Sequence, residues 1–276
     1  MPIAPTRELN DGHLIPAVGL GTYPLDDDEA RTAVGTAIEL GYRLIDTATR
    51  YDNEAGVGQA IAESDVPREE LFVTTKLPGA DHGYDSTLKS FEDARKRLGL
   101  DYVDLYLIHW PLPRIDKYVD SFRAMLKLRE DGRLRSVGVS NFTGDQLRRL
   151  RDETGVLPAV NQIELHPLFH QSGMRDTDNT LGVLTQAWSP LSRGRGLLTD
   201  SRVESIAQSL GITPGQVVLR WEVQSGVVPL PKSASRNRQE ANLDVFSFAL
   251  NPGQMATLSD METGRIGGDP LSHEEF

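Results

Sequence analysis

The chain has 276 residues, 38% of them hydrophobic, with a formal net charge of -11 and no cysteine. The missing cysteines exclude disulfides, thiol nucleophiles and thiolate metal sites, and the acidic balance repels a polyanion such as nucleic acid over most of the surface. No window approaches the roughly 18 uninterrupted apolar residues of a membrane span, and residues 1–12 hold no basic segment followed by an apolar run, so the expectation is a soluble cytoplasmic protein.

In chain order, residues 7–15 place an Asn-Asp-Gly turn between two strand-like halves, which predicts a hairpin outside the main pattern, positioned to plug one end of the fold. Strand-like runs then alternate with helix-length segments: 18–22 with 27–41, 42–46 with 53–63, 71–76 with 86–98, 103–109 with 117–129, 135–140 with 143–151, and 159–165 with 173–180. The run 183–188 is followed by two helices, 202–210 and 214–224, and 227–232 by a last one at 237–245. Apolar runs with little alternation suit strands covered on both faces. Eight strand–helix units predict one domain over residues 1–276, an α/β fold of the (β/α)8 TIM-barrel type with an N-terminal β-hairpin and extra helices.

A parallel barrel delivers the C-terminal ends of all its strands to one face. Asp46, Lys76 and His109 close three successive strands there, and Tyr51 lies in the loop just past Asp46. Singly, each has an ordinary explanation as a cap, a solvated group, a structural hydrogen bonder or packing. Together they suit proton donation to an oxygen acquiring negative charge. A Lys76 ammonium about 4 Å from the phenol would favour tyrosinate by roughly 4 kcal/mol at an effective dielectric of about 20, so the expected ceiling is a phenol pKa lowered from about 10 to about 7. No hydride source lies among these side chains, so a cofactor is required.

The stretches GYRLIDTA (41–48), YDNEAGVG (51–58), TTKL (74–77), VDLYLIHWP (103–111), VGVSN (137–141), AVNQIELHP (159–167) and VPLPKS (228–233) span nearly the whole chain. In them the chain resembles an aldo-keto reductase, close to the bacterial 2,5-diketogluconate-reductase-like branch. The resemblance implies an NADPH-dependent enzyme that reduces aldehydes, ketones or dicarbonyls without a Rossmann domain. It also implies Asp46, Tyr51, Lys76 and His109 as the catalytic tetrad, with Tyr51 the general acid. Ser140, Asn141 and Gln162 match the polar groups that hold the nicotinamide carboxamide, and Trp188 matches the aromatic residue that stacks on its ring. Lys232, Ser233 and Arg238 match the 2′-phosphate segment, flanked by Leu230 and Ala234. Leu191 falls in the pyrophosphate loop, and Asn242 matches an adenine-side amide. Ala241 stands where many relatives carry Glu. Tyr23 and Trp110, beside His109, match walls of the substrate pocket. The partner implied is a small carbonyl compound, for a monomer without nucleic-acid or membrane contacts and without a metal.

The stretch 264–276 carries no substrate signature. The competing readings are a regulatory subunit that binds the cofactor without turnover, and metal-dependent hydrolysis through His166 and His170. The second is opposed by Pro167, which disfavours a helix between the two histidines.

Overall fold

The computed structural model describes residues 3–275. It opens with strands β1 (Thr6–Glu8) and β2 (Leu14–Pro16), paired antiparallel as Thr6 with Pro16 and Glu8 with Leu14. Leu9 and Ile15 of this hairpin are buried in one cluster with Leu44, Phe72, Leu105 and Leu107 of the barrel interior. Arg7 donates to the Gly226 carbonyl at 2.9 Å and Asn10 to the Pro158 carbonyl at 2.9 Å, so the hairpin is sealed onto the N-terminal end.

Eight parallel strands follow: β3 (Leu20–Gly21), β4 (Leu44–Asp46), β5 (Phe72–Leu77), β6 (Val103–Ile108), β7 (Leu134–Ser140), β8 (Val160–Glu164), β9 (Leu184–Trp188) and β10 (Val228–Pro229). They lie side by side in chain order. The Gly19 N–H donates to the Pro229 carbonyl at 3.1 Å and the Gly21 N–H to the Pro231 carbonyl at 3.2 Å, joining the first strand to the last. β10 is shorter than the expected 227–232 because Pro229 and Pro231 have no N–H to donate.

The helices are α1 (Asp27–Leu40), α2 (Glu54–Glu63), α3 (Tyr84–Leu98), α4 (Tyr118–Glu130), α5 (Gly144–Thr154), α6 (Ser172–Leu181), α7 (Ser201–Leu210), α8 (Pro214–Gln224), α9 (Arg236–Leu243) and α10 (Pro252–Ser259). α1 buries Ala30, Ala33, Val34, Ala37 and Ile38, an apolar stripe at helical spacing. Burying Val34 and Ile38 contributes roughly 1.5–3 kcal/mol each. Asp26 and Glu29 cap α1 reciprocally, as Thr143 and Gln146 cap α5 and Thr213 and Gln216 cap α8. α10 has no counterpart among the elements expected from the sequence. Its signal is the same box, Asn251 with Gln254 around Pro252 at the first turn.

The two glycines of α2 serve packing. A Cβ on Gly56 would lie 2.0 Å from the Asp27 carbonyl oxygen, and one on Gly58 2.2 Å from that of Leu98. The helix that follows Tyr51 is thereby pressed against the start of α1 and the end of α3.

Candidate active site

Asp46 is the last residue of β4, Lys76 the penultimate residue of β5, and His109 follows β6 directly. Parallel register puts their side chains over one end of the barrel. Lys76 Nζ donates to Asp46 Oδ1 at 2.6 Å and to the Thr47 carbonyl at 2.9 Å, and lies 3.4 Å from Tyr51 Oη. The His109 ring sits edge-on to Tyr51 with centroids 5.8 Å apart. The four expected catalytic residues are therefore assembled around one small volume.

Tyr51 is held by the turn that carries it, Thr49–Tyr51. Beneath this turn, the buried Glu54 accepts from Thr75 at 2.5 Å and is paired with Arg97 at 2.6 Å. Asn53, fully buried, accepts from Thr47 at 2.6 Å and donates to the Leu25 carbonyl at 2.8 Å. This ties the Tyr51 loop to the loop of Tyr23, whose ring lies 5.1 Å from that of Tyr51.

The electrostatics differ from expectation in one respect. Burial pushes the Tyr51 phenol above its ordinary value; Lys76 pulls it down, but Asp46 and Glu275 push up with burial, and the net direction is upward rather than toward 7. Burial pulls the Lys76 ammonium down, yet Asp46 and Tyr51 more than reverse this, so Lys76 stays charged. Burial lowers His109 below the ordinary histidine value against the opposing pull of Glu275, which leaves the imidazole neutral at pH 7. At neutral pH the site therefore holds an ammonium, a protonated phenol and an uncharged imidazole.

Beside the tetrad, Gln162 donates its amide to Asp46 Oδ2 at 2.7 Å and to Gln186 at 3.2 Å, leaving its own carbonyl oxygen as the free end. Asn141, at a positive φ of 62°, donates to the His109 carbonyl and to Ser140 Oγ, each at 3.0 Å, and accepts from the Trp188 indole at 2.8 Å. Ser140 donates onward to the main-chain carbonyl of Gln162 at 2.8 Å. These groups form one network that fixes the orientation of Trp188.

Family comparison agrees with this geometry. Residues 17–262 match the model of the aldo/keto reductase family. The chain is 50% identical over its full length, and that of the relative, to 2,5-diketo-D-gluconic acid reductase B of a Corynebacterium species. It superposes on an aldo/keto reductase of Brucella melitensis with a TM-score of 0.90 at 46% identity, covering 94% of this chain and 99% of that one. A Bombyx mori aldo-keto reductase solved in complex with NADP gives 0.89 at 38% identity, covering 95% and 94%. The chain belongs to the aldo/keto reductase family.

For an aldo/keto reductase the remaining expected cofactor residues fall into two groups. Lys232, Ala234 and Arg238 are exposed around the buried Ser233, whose hydroxyl is 3.3 Å from Arg238 Nε. Neither Lys232 nor Arg238 enters an ion pair among the described residues, whereas Arg236 between them is engaged by Glu39 at 2.8 Å. Two uncommitted cations beside a hydroxyl fit a phosphate. Asn242 is buried on α9 behind them. Leu191 is half-buried in the loop after β9, while Leu230 sends its side chain into the barrel interior, which leaves only its backbone to face a ligand.

Several residues of this face were not singled out from the sequence. Arg193 and Arg195 are exposed in the 189–196 loop, where Ser189, Ser192 and Arg193 all adopt positive φ. Arg193 lies over Trp188, 5.7 Å from the ring centroid. Glu164 accepts from the backbone of Ile266 and Gly267 at 2.6 and 2.7 Å, and Glu275 Oε1 lies 2.6 Å from His109 Nδ1. A capping carboxylate and a chain-terminal one have no local signature, because their partners lie about a hundred residues or more away. His166 and His170 do not share a partner: the first contacts Glu164 at 3.2 Å and the second Glu262 at 3.5 Å.

Proposed function

We propose that this aldo/keto reductase reduces aldehydes, ketones or dicarbonyls to alcohols with Tyr51 as the general acid, Lys76 and Asp46 holding the phenol in place and His109 directing the carbonyl oxygen. The supporting observation is the convergence of Lys76 Nζ on Asp46 at 2.6 Å and on Tyr51 Oη at 3.4 Å inside a buried site. NADPH, when bound, supplies the hydride that reduces the carbonyl carbon.

What this chain adds is proton and charge management. As the carbonyl oxygen gains negative charge, Tyr51 gives it the phenolic proton and becomes tyrosinate, stabilised by the Lys76 ammonium. The receiving alkoxide is far more basic than the phenol, its conjugate acid being about as weak an acid as water. A phenol raised by burial is therefore still a competent donor, and it remains protonated until an acceptor forms. The buried Asp46 keeps Lys76 charged and turned toward the phenol. The neutral imidazole of His109 has one N–H to orient the oxygen, and solvent later reprotonates Tyr51.

Lys232, Ser233 and Arg238 would hold the 2′-phosphate, Ala234 its backbone surroundings, Asn242 the adenine, the loop at Leu191 with Arg193 and Arg195 the pyrophosphate, and Ser140, Asn141, Gln162 and Trp188 the nicotinamide. Tyr23 and Trp110 wall the substrate. The same reading makes the protein a monomeric cytoplasmic enzyme; among the described residues no helix is long and apolar enough to cross a membrane. NADPH oxidation followed across a panel of carbonyl compounds tests the proposal. Turnover by the wild type and its loss in Tyr51→Phe is expected, and equal rates for the two would refute the assignment of the acid.

A further inference from the structure

The segment 263–275 crosses the mouth of the barrel and is fastened along its length. Thr263 and Gly264 donate their N–H groups to the Leu168 carbonyl at 2.8 and 2.9 Å. Ile266 and Gly267 donate theirs to the buried Glu164, and Glu274 pairs with Arg114 at 3.1 Å. The His273 ring packs on that of Trp110 with centroids 4.1 Å apart and the planes tilted by 44°. At the far end the buried Glu275 carboxylate accepts from the Gly79 N–H at 3.0 Å and lies 2.6 Å from His109 Nδ1. Residue 79 must be small there, because a Cβ on Gly79 would fall 2.5 Å from the Glu275 carbonyl oxygen.

Two of the three residues assigned to the substrate are thus covered by the chain's own tail, Trp110 by His273 and His109 by Glu275, while Tyr23 stays exposed. We infer that the C-terminal segment is an intramolecular competitor, in which Glu275 holds His109 and His273 holds Trp110 until a carbonyl substrate displaces them. The chemistry of the imidazole supports this. A neutral ring carries one N–H, and if that proton points at Glu275 none is left for a carbonyl oxygen. The carboxylate is itself poorly compensated, with one backbone N–H and an uncharged ring for partners, which favours release over permanent docking. A tethered group acts at an effective concentration in the millimolar range, and a tail engaged about nine-tenths of the time would raise an apparent dissociation constant about tenfold.

The inference rests on the assignment of Tyr51 and His109, so the test uses two readouts. Glu275→Ala, Glu275→Gln and a chain ending at Pro270 are compared with the wild type. One readout is NADPH-dependent reduction of diacetyl. The other is calorimetric binding of isobutyrate, an unreactive carboxylate, to the NADP+-loaded protein. Loss of the Glu275 carboxylate is expected to lower the KM for diacetyl about tenfold with kcat changed less than about threefold, and to tighten isobutyrate binding by a similar factor. Unchanged KM and unchanged isobutyrate affinity would overturn the inference. So would a fall in kcat/KM, which would make Glu275 a residue that positions His109. If Tyr51→Phe turned over normally, the acid assignment would fail, while the isobutyrate comparison would still decide whether the tail competes.

Discussion

Gln162 donates its side-chain amide to Asp46 Oδ2 at 2.7 Å, across 116 residues of sequence, while Lys76 occupies Oδ1 at 2.6 Å. The carboxylate that anchors Lys76 is thus held on both oxygens. Gln162→Leu would leave one buried oxygen unpaired, a loss of about 1–3 kcal/mol in stability. Chemical denaturation is the measurement, and kcat should fall together with stability because Lys76 loses a rigid partner. A variant as stable as wild type would show that the bond contributes nothing.

Lys76→Met removes the cation from a buried pair and leaves the Asp46 carboxylate without its counter-ion. Breaking such a pair destabilises by about 3–5 kcal/mol. Turnover should drop by about two orders of magnitude or more even in the folded fraction, since the tyrosinate formed in the reaction loses its counter-ion. Single-turnover rates corrected for folded protein distinguish the two effects.

The uncommitted Lys232 and Arg238 predict a cofactor preference. Replacing both by alanine should weaken NADPH binding by about 10–100-fold, the range of one or two lost charge-assisted hydrogen bonds, and leave NADH binding within about twofold. Fluorescence titration with each cofactor reads this directly, and parallel losses for both would assign the cluster to something other than the 2′-phosphate.

His82, buried with no hydrogen-bond partner on either ring nitrogen among the described residues, is pulled down to about 4 by burial. The unfolded chain takes up this proton near pH 6.5 and the folded chain refuses it until about 4, so between those values the unfolded state binds more protons and stability falls as pH falls. The stability lost through this residue reaches about 3 kcal/mol and is complete below pH 4. His82→Phe should flatten that part of the stability–pH curve in urea titrations at pH 7 and pH 5; an unaltered slope would contradict it.

Much of the site was legible because barrel geometry converts position in a strand into position in space. Once Asp46, Lys76 and His109 were seen to end strands, their meeting followed from the shared direction of the chain. The direction of the Tyr51 shift did not follow, because it depends on burial, which residue spacing does not report. Glu54, Glu164 and Glu275 were missed for a related reason: a carboxylate looks the same whether it faces solvent or a partner on another strand.

The order of apolar runs and turn residues determined the repeated strand–helix pattern, the hairpin and the meeting of Asp46, Lys76, His109 and Tyr51 at one end of the barrel, since these depend on local periodicity and on chain direction. The tertiary structure alone decided which polar groups are already satisfied, that Gln162 serves Asp46, that Arg236 is spent on Glu39 while Lys232 and Arg238 enter no ion pair among the described residues, and that the tail returns to His109. Those outcomes arise from packing among segments separated by tens to hundreds of residues, where proximity is set by the closure of the barrel and the path of the last segment over its mouth.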